Sequence, residues 1–323
     1  MDLIWNDDPV NTTAPVRMAP QPQRKTLLRT AAQTMEDAAK LPPLQPLISG
    51  IWNVGGFGIL AGDTGAGKSL FATSEAFRIA QTRPIIYYDF ELSDRQFQSR
   101  YENTHIPENF IYAKYDPQTI DFAFSFEDVK ADLSTTGAAT VVIDNVSALH
   151  LKNTVDPDAA LSICRGLKQL QISDKISVLV LAHVPKIAPG TPLNINHLAG
   201  SKALANFADN VTFIGKSTQG ADIRYIKTVK NRDGELPSVF AISISNPGGG
   251  RLGWTYLGLC DESEHLQENL RDVLKDDVMS KRNEGKSLRD IQKEIYFDKG
   301  EKLSHMTIKR WAETPVNGNA APY

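Results

Sequence analysis

Short apolar runs alternate with segments of helical spacing between about residues 50 and 258. Runs that are apolar throughout are typical of strands buried on both faces, and their alternation with helices is typical of a parallel sheet. The sequence therefore predicts an α/β fold with a mostly parallel sheet covered by helices. The predicted strands are FGILAG (57–62), PIIYYDF (84–90), ATVVIDN (139–145) and SVLVLAH (177–183). The predicted helices are GKSLFATSEAFRIA (67–80), SDRQFQSRY (93–101), capped by Ser93, FSFEDVKADLSTT (124–136) and DPDAALSICRGLKQLQIS (156–173).

After about residue 210 the pattern changes to β-rich segments, which predict antiparallel strands and hairpins added to the sheet edge. One connection reads KNRDG (230–234). Asp-Gly is a turn signal, so the plain interpretation is a hairpin loop that carries two cations. The β-rich segments are VTFIGK (211–216), IRYIKTVK (223–230), SVFAISIS (238–245) and RLGWTYLG (251–258).

The two ends of the chain differ from this central region. Residues 1–24 are rich in Pro, Asn, Thr and Gln, which predicts a mobile arm, and 25–40 suit a short helix that LPPLQP ends. From residue 261 the chain is highly charged with helical spacing. We therefore predict an arm and helix (1–44), a core domain (45–260) and a small helical module (261–323).

Composition and charge narrow the class of protein. Hydrophobic residues make up 41% and charged residues 23% of the chain, which is ordinary for a soluble domain, and the net charge is −3. Nucleic-acid contacts must then come from a local patch or channel. Two distant cysteines, Cys164 and Cys260, indicate neither a zinc site nor a disulfide framework. With an acidic N-terminus and only short apolar runs, we expect a cytoplasmic protein without membrane attachment.

The segment GDTGAGKS (62–69) fits the phosphate-loop pattern G-x-x-x-x-G-K-[ST], between a predicted strand and a predicted helix. Its glycines let backbone N–H groups surround phosphate oxygens, and the helix start adds positive potential. We expect Lys68 to reach the outer phosphates of ATP and Ser69 to bind Mg²⁺. The expected nucleotide-contacting residues are Gly62, Asp63, Thr64, Gly65, Ala66, Gly67, Lys68, Ser69 and Leu70.

Three further polar residues end or follow predicted strands beside this loop. Asp144 closes an apolar strand, where it can hold Mg²⁺ directly or through water, or merely cap the strand. Glu91 could deprotonate the attacking water, or it could only favour the dipole of the next helix. His183 ends a strand next to the phosphates, as a sensor of the γ-phosphate or as a structural histidine.

In this order, the motifs resemble the RecA-like ATPase family, over roughly residues 45–258. Within it, they resemble the ring-forming branch with the DnaB replicative helicases, the RadA recombination helicases and the plasmid replication helicase RepA. The compact RepA plan is the most similar, because a cysteine-rich zinc knuckle of the RadA kind and room for the large N-terminal domain of DnaB are both missing. The narrower matches are FELS (90–93), with Gln96 and Arg100 behind it, HVPK (183–186), followed by Gly200, Ser201 and Asp209, and KNRDG (230–234).

This resemblance implies roles for individual residues. It makes Glu91 the catalytic base and His183 the γ-phosphate sensor. It also implies that Lys230 and Arg232 reach the ATP site of a neighbouring subunit as trans lysine and arginine finger, so hydrolysis would depend on a homo-oligomer. A hexameric ring is implied by the family alone, and a solvated hairpin remains the alternative for KNRDG.

Two loops are candidates for contact with single-stranded DNA, because in ring ATPases of this fold they face the central channel. They are about 150–157 and 186–201, and the second is long and free of acids, as expected of a mobile DNA-tracking loop. The candidate phosphate contacts are Lys152, Lys186 and Lys202. Neither loop has an aromatic residue, so sequence preference should be low. Ordinary surface loops are the alternative.

The tail resembles a helix-turn-helix of the resolvase-like type, over 285–295 and 304–311. Its expected core is Leu288, Ile291, Ile295, Ile308 and Trp311, with Ser304 as a helix cap. This favours contact with duplex DNA or a partner protein; a trihelical packing module between subunits is the alternative. A seven-residue insertion, YFDKGEK (296–302), stands where a tight turn would be expected.

The sequence thus leaves more than one function open. The first is an Mg²⁺-dependent ATPase acting as a ring helicase or translocase on DNA, as in replication of a plasmid, phage or mobile element. The second is an ATP-switched DNA-binding regulator that moves nothing, and a weaker third is a recombination accessory.

Lys68→Ala should abolish ATP hydrolysis, because it removes the cation that the phosphate-loop motif supplies to the outer phosphates. The measurement is phosphate release with MgATP. Hydrolysis at the wild-type rate would show that this loop is not the ATP site.

Overall fold

The computed structural model describes residues 26–115, 125–145, 157–187, 190–198, 202–245, 253–266, 270–299 and 302–313. The predicted N-terminal arm and all but the last residue of the first proposed DNA loop lie outside these ranges. Internal contacts divide the chain into two compact units, residues 1–44 and 45–323, and each is described by itself.

In the first unit, helix α1 covers Ala31–Ala39, inside the predicted stretch 25–40. It begins there because the Thr30 hydroxyl accepts a hydrogen bond from the Gln33 N–H, while the Gln33 side chain accepts one from the Thr30 N–H. This reciprocal cap satisfies donors that a first helical turn leaves unpaired. None of the α1 side chains is buried.

In the second unit, a small antiparallel pair and a nine-stranded sheet form the β structure of the described residues. The small pair is β1 (Pro46–Ile48) and β2 (Trp52–Asn53). The large sheet contains β3 (Phe57–Gly62), β4 (Ile85–Asp89), β5 (Phe110–Ala113), β6 (Thr140–Asp144), β7 (Ser177–His183), β8 (Asn210–Lys216), β9 (Ile223–Asn231), β10 (Phe240–Ser245) and β11 (Gly253–Leu259). The helices of the core are α2 (Lys68–Ala80), α3 (Asp94–Tyr101), α4 (Phe126–Thr136), α5 (Pro157–Ser173) and α6 (Lys202–Phe207).

The strand order of the large sheet is β11-β10-β9-β8-β3-β7-β6-β4-β5. The strands from β8 to β5 are parallel, whereas β9, β10 and β11 add on as antiparallel strands. This confirms the predicted mostly parallel sheet with added hairpins. Strand β5 and the pair β1–β2 were not predicted, since they are too short for their apolar pattern to stand out.

Helices cover the sheet on both faces, which makes the core three-layered. Ile59 and Ala61 of β3 pack in one buried cluster with α4, α5 and α6. Leu60, between them, belongs to a second cluster with α2 and α3. Because alternate residues face opposite layers that are both apolar, the central strands are apolar throughout.

The parallel strands bring their carboxyl ends to one edge of the sheet. Gly62 of β3 pairs with His183 of β7, and Asp89 of β4 pairs with Asp144 of β6. The phosphate-loop segment and these polar residues therefore meet at the same edge.

The KNRDG segment lies at the opposite edge, where β9 ends. Lys230 is still within β9, opposite Val211, and β10 begins only at Phe240. The predicted hairpin is present, but its connection is longer than a two-residue Asp-Gly turn. Asp233 instead accepts a hydrogen bond from the Asn53 side chain at 2.6 Å, which holds the connection against β2.

The tail forms three helices with their own core, as predicted. They are α7 (Leu270–Asn283), α8 (Leu288–Lys299) and α9 (His305–Ala312). The hydroxyl of Ser304 caps α9 by accepting the Thr307 N–H, which confirms that prediction. The first four residues of the insertion are helical, because Tyr296–Lys299 continue α8. The buried core is Leu274, Val278, Ile291, Ile295, Ile308 and Trp311.

Packing against the core continues past the predicted boundary at residue 260. A 3₁₀ helix, Glu262–His265, follows this boundary, and its His265 is buried and stacked on Tyr225 of β9, with 5.2 Å between the ring centroids.

No helix among the described residues is long and apolar enough to span a membrane.

Ile295→Ala should destabilise the three-helix tail by about 2–5 kcal/mol, because it leaves a cavity in a small core. Phe297→Ala is the matched control, since that ring is on the same helix and 89% exposed. Amide hydrogen exchange across 270–313 measures the change, and equal exchange in the two variants would contradict the packing.

Candidate active site

The phosphate loop joins β3 to α2 and depends on two glycines in the left-handed region. Gly65 has φ +71° and Gly67 has φ +98°, conformations that side chains oppose. A Cβ at Gly67 would also collide with the side chain of Ile244 from β10. The loop backbone can therefore stay tight against the sheet, as a phosphate cradle requires.

Lys68, the first residue of α2, is folded back over this loop. Its Nζ donates to the carbonyls of Gly62 and Asp63, at 2.9 and 3.1 Å. It also lies 3.1 Å from His183 Nδ1. Burial lowers the pKa of Lys68, while Asp144 and Glu91 act in the opposite direction. The ammonium group is thus held above the loop, at the place where the motif predicts phosphate.

Glu91 and His183 are brought together across the sheet edge. His183 Nε2 lies 2.9 Å from Glu91 Oε1, and the Asn145 amide donates to the same oxygen. With Lys68 donating to Nδ1, the neutral ring carries its proton on Nε2 and donates it to Glu91. Lys68, His183 and Glu91 form one chain of contacts that leads from the loop to the solvent-facing carboxylate.

Asp89, which the sequence analysis did not select, fixes the backbone of Glu91. It is buried, and its Oδ1 accepts the N–H groups of Glu91 and Leu92 at 2.9 and 2.8 Å. Its Oδ2 accepts the Tyr112 hydroxyl at 2.9 Å. The sequence did offer a signal for Asp89, because it lies near the end of a predicted strand, as Asp144 does. The carboxyl ends of neighbouring parallel strands converge, so the two carboxylates were expected at the same edge.

Asp144 lies below the loop in a buried position. The Tyr87 hydroxyl donates to it at 2.8 Å, and Ser69 is also hydrogen-bonded to it. Burial raises the pKa of Asp144 to about 6, although these two hydrogen bonds lower it. A desolvated carboxylate beside a hydroxyl is a pair of hard oxygen donors that suits Mg²⁺. The residues present therefore fit the predicted ion.

Two cations outside the motif also hold the phosphate loop. Lys216 of β8 donates to the Thr64 carbonyl at 2.9 Å and lies 3.5 Å from the Asp63 carboxylate. Arg224 of β9 donates to the Ala66 carbonyl at 2.9 Å. Sequence reasoning missed both, because a cation in a β-rich run carries no signal of what it contacts.

Lys230 and Arg232 contact the end of α6. Lys230 Nζ donates to the carbonyls of Ala205 and Ala208 at 2.6 and 2.7 Å, and Arg232 Nη2 donates to that of Asn206 at 2.7 Å. Within one chain they satisfy carbonyls that a helix end leaves unpaired.

Distance separates these two cations from their own phosphate loop. Asn210, at the start of β8, pairs with Asn231, whereas Lys216, at its end, contacts the loop. The length of β8 therefore separates the KNRDG segment from the phosphate loop by about 20 Å.

The proposed DNA contacts are only partly described. Lys152 lies outside the described residues. Lys202 begins α6, but its side chain also lies outside them. Lys186 directly follows the strand that ends in His183. In the second loop, Leu193 and Leu198 are buried in the core, so the loop is anchored at these two residues.

Comparison with known proteins places this arrangement in a family. A family model described as an AAA domain matches residues 22–188. The chain belongs to this AAA domain family. With its phosphate loop, it is a nucleotide-binding ATPase domain of this family.

Curated relatives match about three fifths of the chain. The DNA repair protein RadA of Chlamydia pneumoniae is 25% identical over 208 residues, which cover 60% of this chain and 42% of that protein. RadA of a Synechocystis species is 25% identical over 205 residues, covering 59% and 39%. The chain thus spans about two fifths of the length of these relatives.

Solved structures show the same fold. One solved structure of an ATPase domain aligns with a TM-score of 0.55 and 14% identity, over 71% of this chain and 97% of that one. A DnaB-like replicative helicase, studied with its primase interactions, aligns with a TM-score of 0.53 and 14% identity, over 69% and 67%. At this identity the likeness concerns the fold alone, which is the predicted RecA-like ATPase fold.

Glu91→Gln should lower ATP hydrolysis about 100-fold or more, because the amide cannot take a proton from water. ATP binding should remain, since Glu91 does not contact the phosphate loop directly. Glu102→Gln, the same chemical change at the other end of α3, is the control. Phosphate release and nucleotide retention are the readouts, and normal hydrolysis by Glu91→Gln would place the base elsewhere.

Proposed function

We propose that this chain hydrolyses ATP as a ring-shaped homo-oligomer, a hexamer by family resemblance, that moves along or unwinds DNA. Its finer assignment is a replicative-type helicase or translocase of a plasmid, phage or mobile element. The site residues take the roles that the sequence motifs suggested for them.

In this proposal the phosphate-loop backbone and Lys68 hold the β- and γ-phosphates of ATP. Ser69 and Asp144 would hold Mg²⁺, and the bound ion would supply positive charge beside the phosphates. Glu91, held by Asp89 and Asn145, orients a water and accepts its proton. His183, between Lys68 and Glu91, responds to the presence of the γ-phosphate.

The separation of Lys230 and Arg232 from their own phosphate loop carries the oligomeric part of the proposal. An arginine side chain cannot bridge about 20 Å along β8. If these cations act on a γ-phosphate, it belongs to another copy of the chain. The hydrolytic site is then complete only between subunits, and hydrolysis depends on assembly.

The assignment of DNA as the partner rests on the relatives and on one loop. The curated relatives are named as DNA repair proteins, and one structural neighbour is named as a replicative helicase. Lys186 lies on the segment that directly follows His183, so a γ-phosphate signal and a DNA phosphate would meet on one stretch of backbone.

The three-helix tail favours a second candidate, an ATP-switched regulator that binds duplex DNA without moving it. Helices α8 and α9 share one buried core, as the two helices of a helix-turn-helix do. Lys281 and Lys286 pair with Glu294 at 3.0 and 2.7 Å. Lys309 on α9 is exposed and lies 4.0 Å from Glu313. ATP-controlled footprints on duplex DNA, with hydrolysis insensitive to single strands, would support this candidate over a motor.

The assembly is tested with Arg232→Ala. We expect about a 10³-fold loss of hydrolysis with ATP binding retained, because the finger stabilises charge in a neighbour's transition state. Mixing Arg232→Ala with Glu91→Gln should partly restore hydrolysis, since some interfaces then combine an intact base with an intact finger. If mixed oligomers form and hydrolysis is not restored, the trans role of Arg232 is excluded.

The motor is tested separately with wild-type protein. ATPase rate per subunit should rise with protein concentration and again with single-stranded DNA, and a forked duplex should be unwound. An assembled ATPase that neither translocates along DNA nor unwinds it would exclude the motor, and the ATP-switched regulator would remain as the candidate.

A further inference from the structure

The carboxylate of Asp209, just before β8, divides its contacts between its two oxygens. Its Oδ2 accepts the Phe57 N–H at 3.0 Å and the Gln171 side-chain amide at 2.6 Å. Its Oδ1 lies 3.1 Å from Lys168 Nζ and 3.6 Å from Arg232 Nη1. One oxygen is therefore held by neutral donors, and the other faces two cations.

These contacts leave the Asp209 side chain little freedom. It is 12% exposed, and a shielded carboxylate that accepts hydrogen bonds from separate elements is held in one orientation. The Asp209 carbonyl also accepts the Arg232 N–H at 3.0 Å. Asp209 thus contacts Arg232 both at its backbone and at its guanidinium group.

The guanidinium group of Arg232 is held at two points. Its Nη2 donates to the Asn206 carbonyl at the end of α6 at 2.7 Å, while its Nη1 faces Asp209. Two acceptors fix the plane of this rigid fork, and its five N–H groups leave donors for a further acceptor. The side chain remains 49% exposed. Arg232 is therefore oriented within its own subunit and accessible from outside it.

Three cations converge on this carboxylate, namely Lys168, Lys230 and Arg232. Burial lowers the pKa of Lys230, and the charges of Arg232 and Lys168 act in the same direction. Asp209 opposes them and raises this pKa. Without the carboxylate, repulsion among the cations favours displacement of Arg232, which is exposed and free to turn into water.

We propose that Asp209 is a positioning residue that orients the Arg232 guanidinium toward a phosphate bound by a neighbouring copy of the chain. Asp209 acts through Arg232 and does not itself touch the nucleotide. This inference rests on the proposed trans role of Arg232, and it adds the residue that gives this arginine its direction.

The first test is Asp209→Asn in the full-length protein. The amide oxygen can keep the bonds of Oδ2 to Phe57 and Gln171, while the amide nitrogen replaces Oδ1 and removes the attraction to the cations. ATP hydrolysis is measured at protein concentrations that give the assembled oligomer. We expect kcat to fall about tenfold or more, because a displaced group loses its alignment. KM for ATP should stay close to wild type, because Asp209 lies at the edge opposite its own phosphate loop.

A double variant separates positioning from a merely structural role. In the Arg232→Ala background, Asp209→Asn should lower kcat no further, because its effect passes through the missing guanidinium group. Glu235→Gln is the matched control. It also removes one negative charge close to Arg232 in the chain, but its side chain is exposed and forms no ion pair within the described residues. Its kcat should match wild type.

Chemical rescue tests the same idea with Asp209 unchanged, so it decides the question even if Asp209→Asn does not fold. Added methylguanidinium should restore part of the hydrolysis of Arg232→Ala, because its planar fork can bridge Asp209 and the Asn206 carbonyl. Methylammonium carries the same charge without the fork and should not restore it. Equal restoration by the two cations, or none by either, would contradict the positioning role.

The outcomes separate this inference from the proposed function. Wild-type hydrolysis by Arg232→Ala would overturn the trans role and the positioning role with it. A large loss in Arg232→Ala together with a wild-type kcat in Asp209→Asn would overturn the positioning role alone. Additive losses in the double variant would also overturn it, since they indicate general destabilisation.

Discussion

The hydrogen-bond ladder of β3, with β7 on one side and β8 on the other, fixes the positions of the phosphate loop, His183 and the KNRDG segment. All three strands run in the same direction. At the carboxyl end of β3 begins the phosphate loop, next to His183 of β7. At its amino end the Phe57 N–H donates to the Asp209 carboxylate, where β8 begins. The two ends of one ladder therefore place the phosphate loop and the KNRDG segment at opposite edges of the sheet.

At the carboxyl edge, buried polar groups satisfy one another. Asp89 and Asp144 are both about 2% exposed, and each accepts hydrogen bonds that fix a neighbour. Such groups cost folding free energy unless they are paired. Burial raises the pKa of Asp144, and groups perturbed in this way cluster at functional sites. The hydroxyls of Tyr87 and Tyr112 supply much of this compensation.

The chain between β7 and β8 joins the two edges. It leaves His183 at the carboxyl edge, is fixed at Leu193, and returns through α6 to Asn210 at the amino edge. The end of α6 presents the carbonyls that Lys230 and Arg232 bind. One continuous segment thus contacts the phosphate-loop lysine at its start and the proposed finger residues at its end.

The sequence by itself determined the local features: the phosphate loop, the buried central strands, the capped helices α3 and α9, and the core of the tail. These follow from periodicity and from residues within a few positions of each other, such as Ser304 and Thr307. Only the tertiary structure assigned Asp89, Asn145, Lys216 and the Glu262–Lys227 ion pair. Each of them acts through a partner far away in the chain, as Lys216 does on Thr64, and no local pattern encodes such a contact. The same holds for KNRDG, whose letters predicted a turn with two cations. Its place at the edge opposite the phosphate loop follows from the direction in which β9 pairs with β8, which is settled only when the sheet assembles.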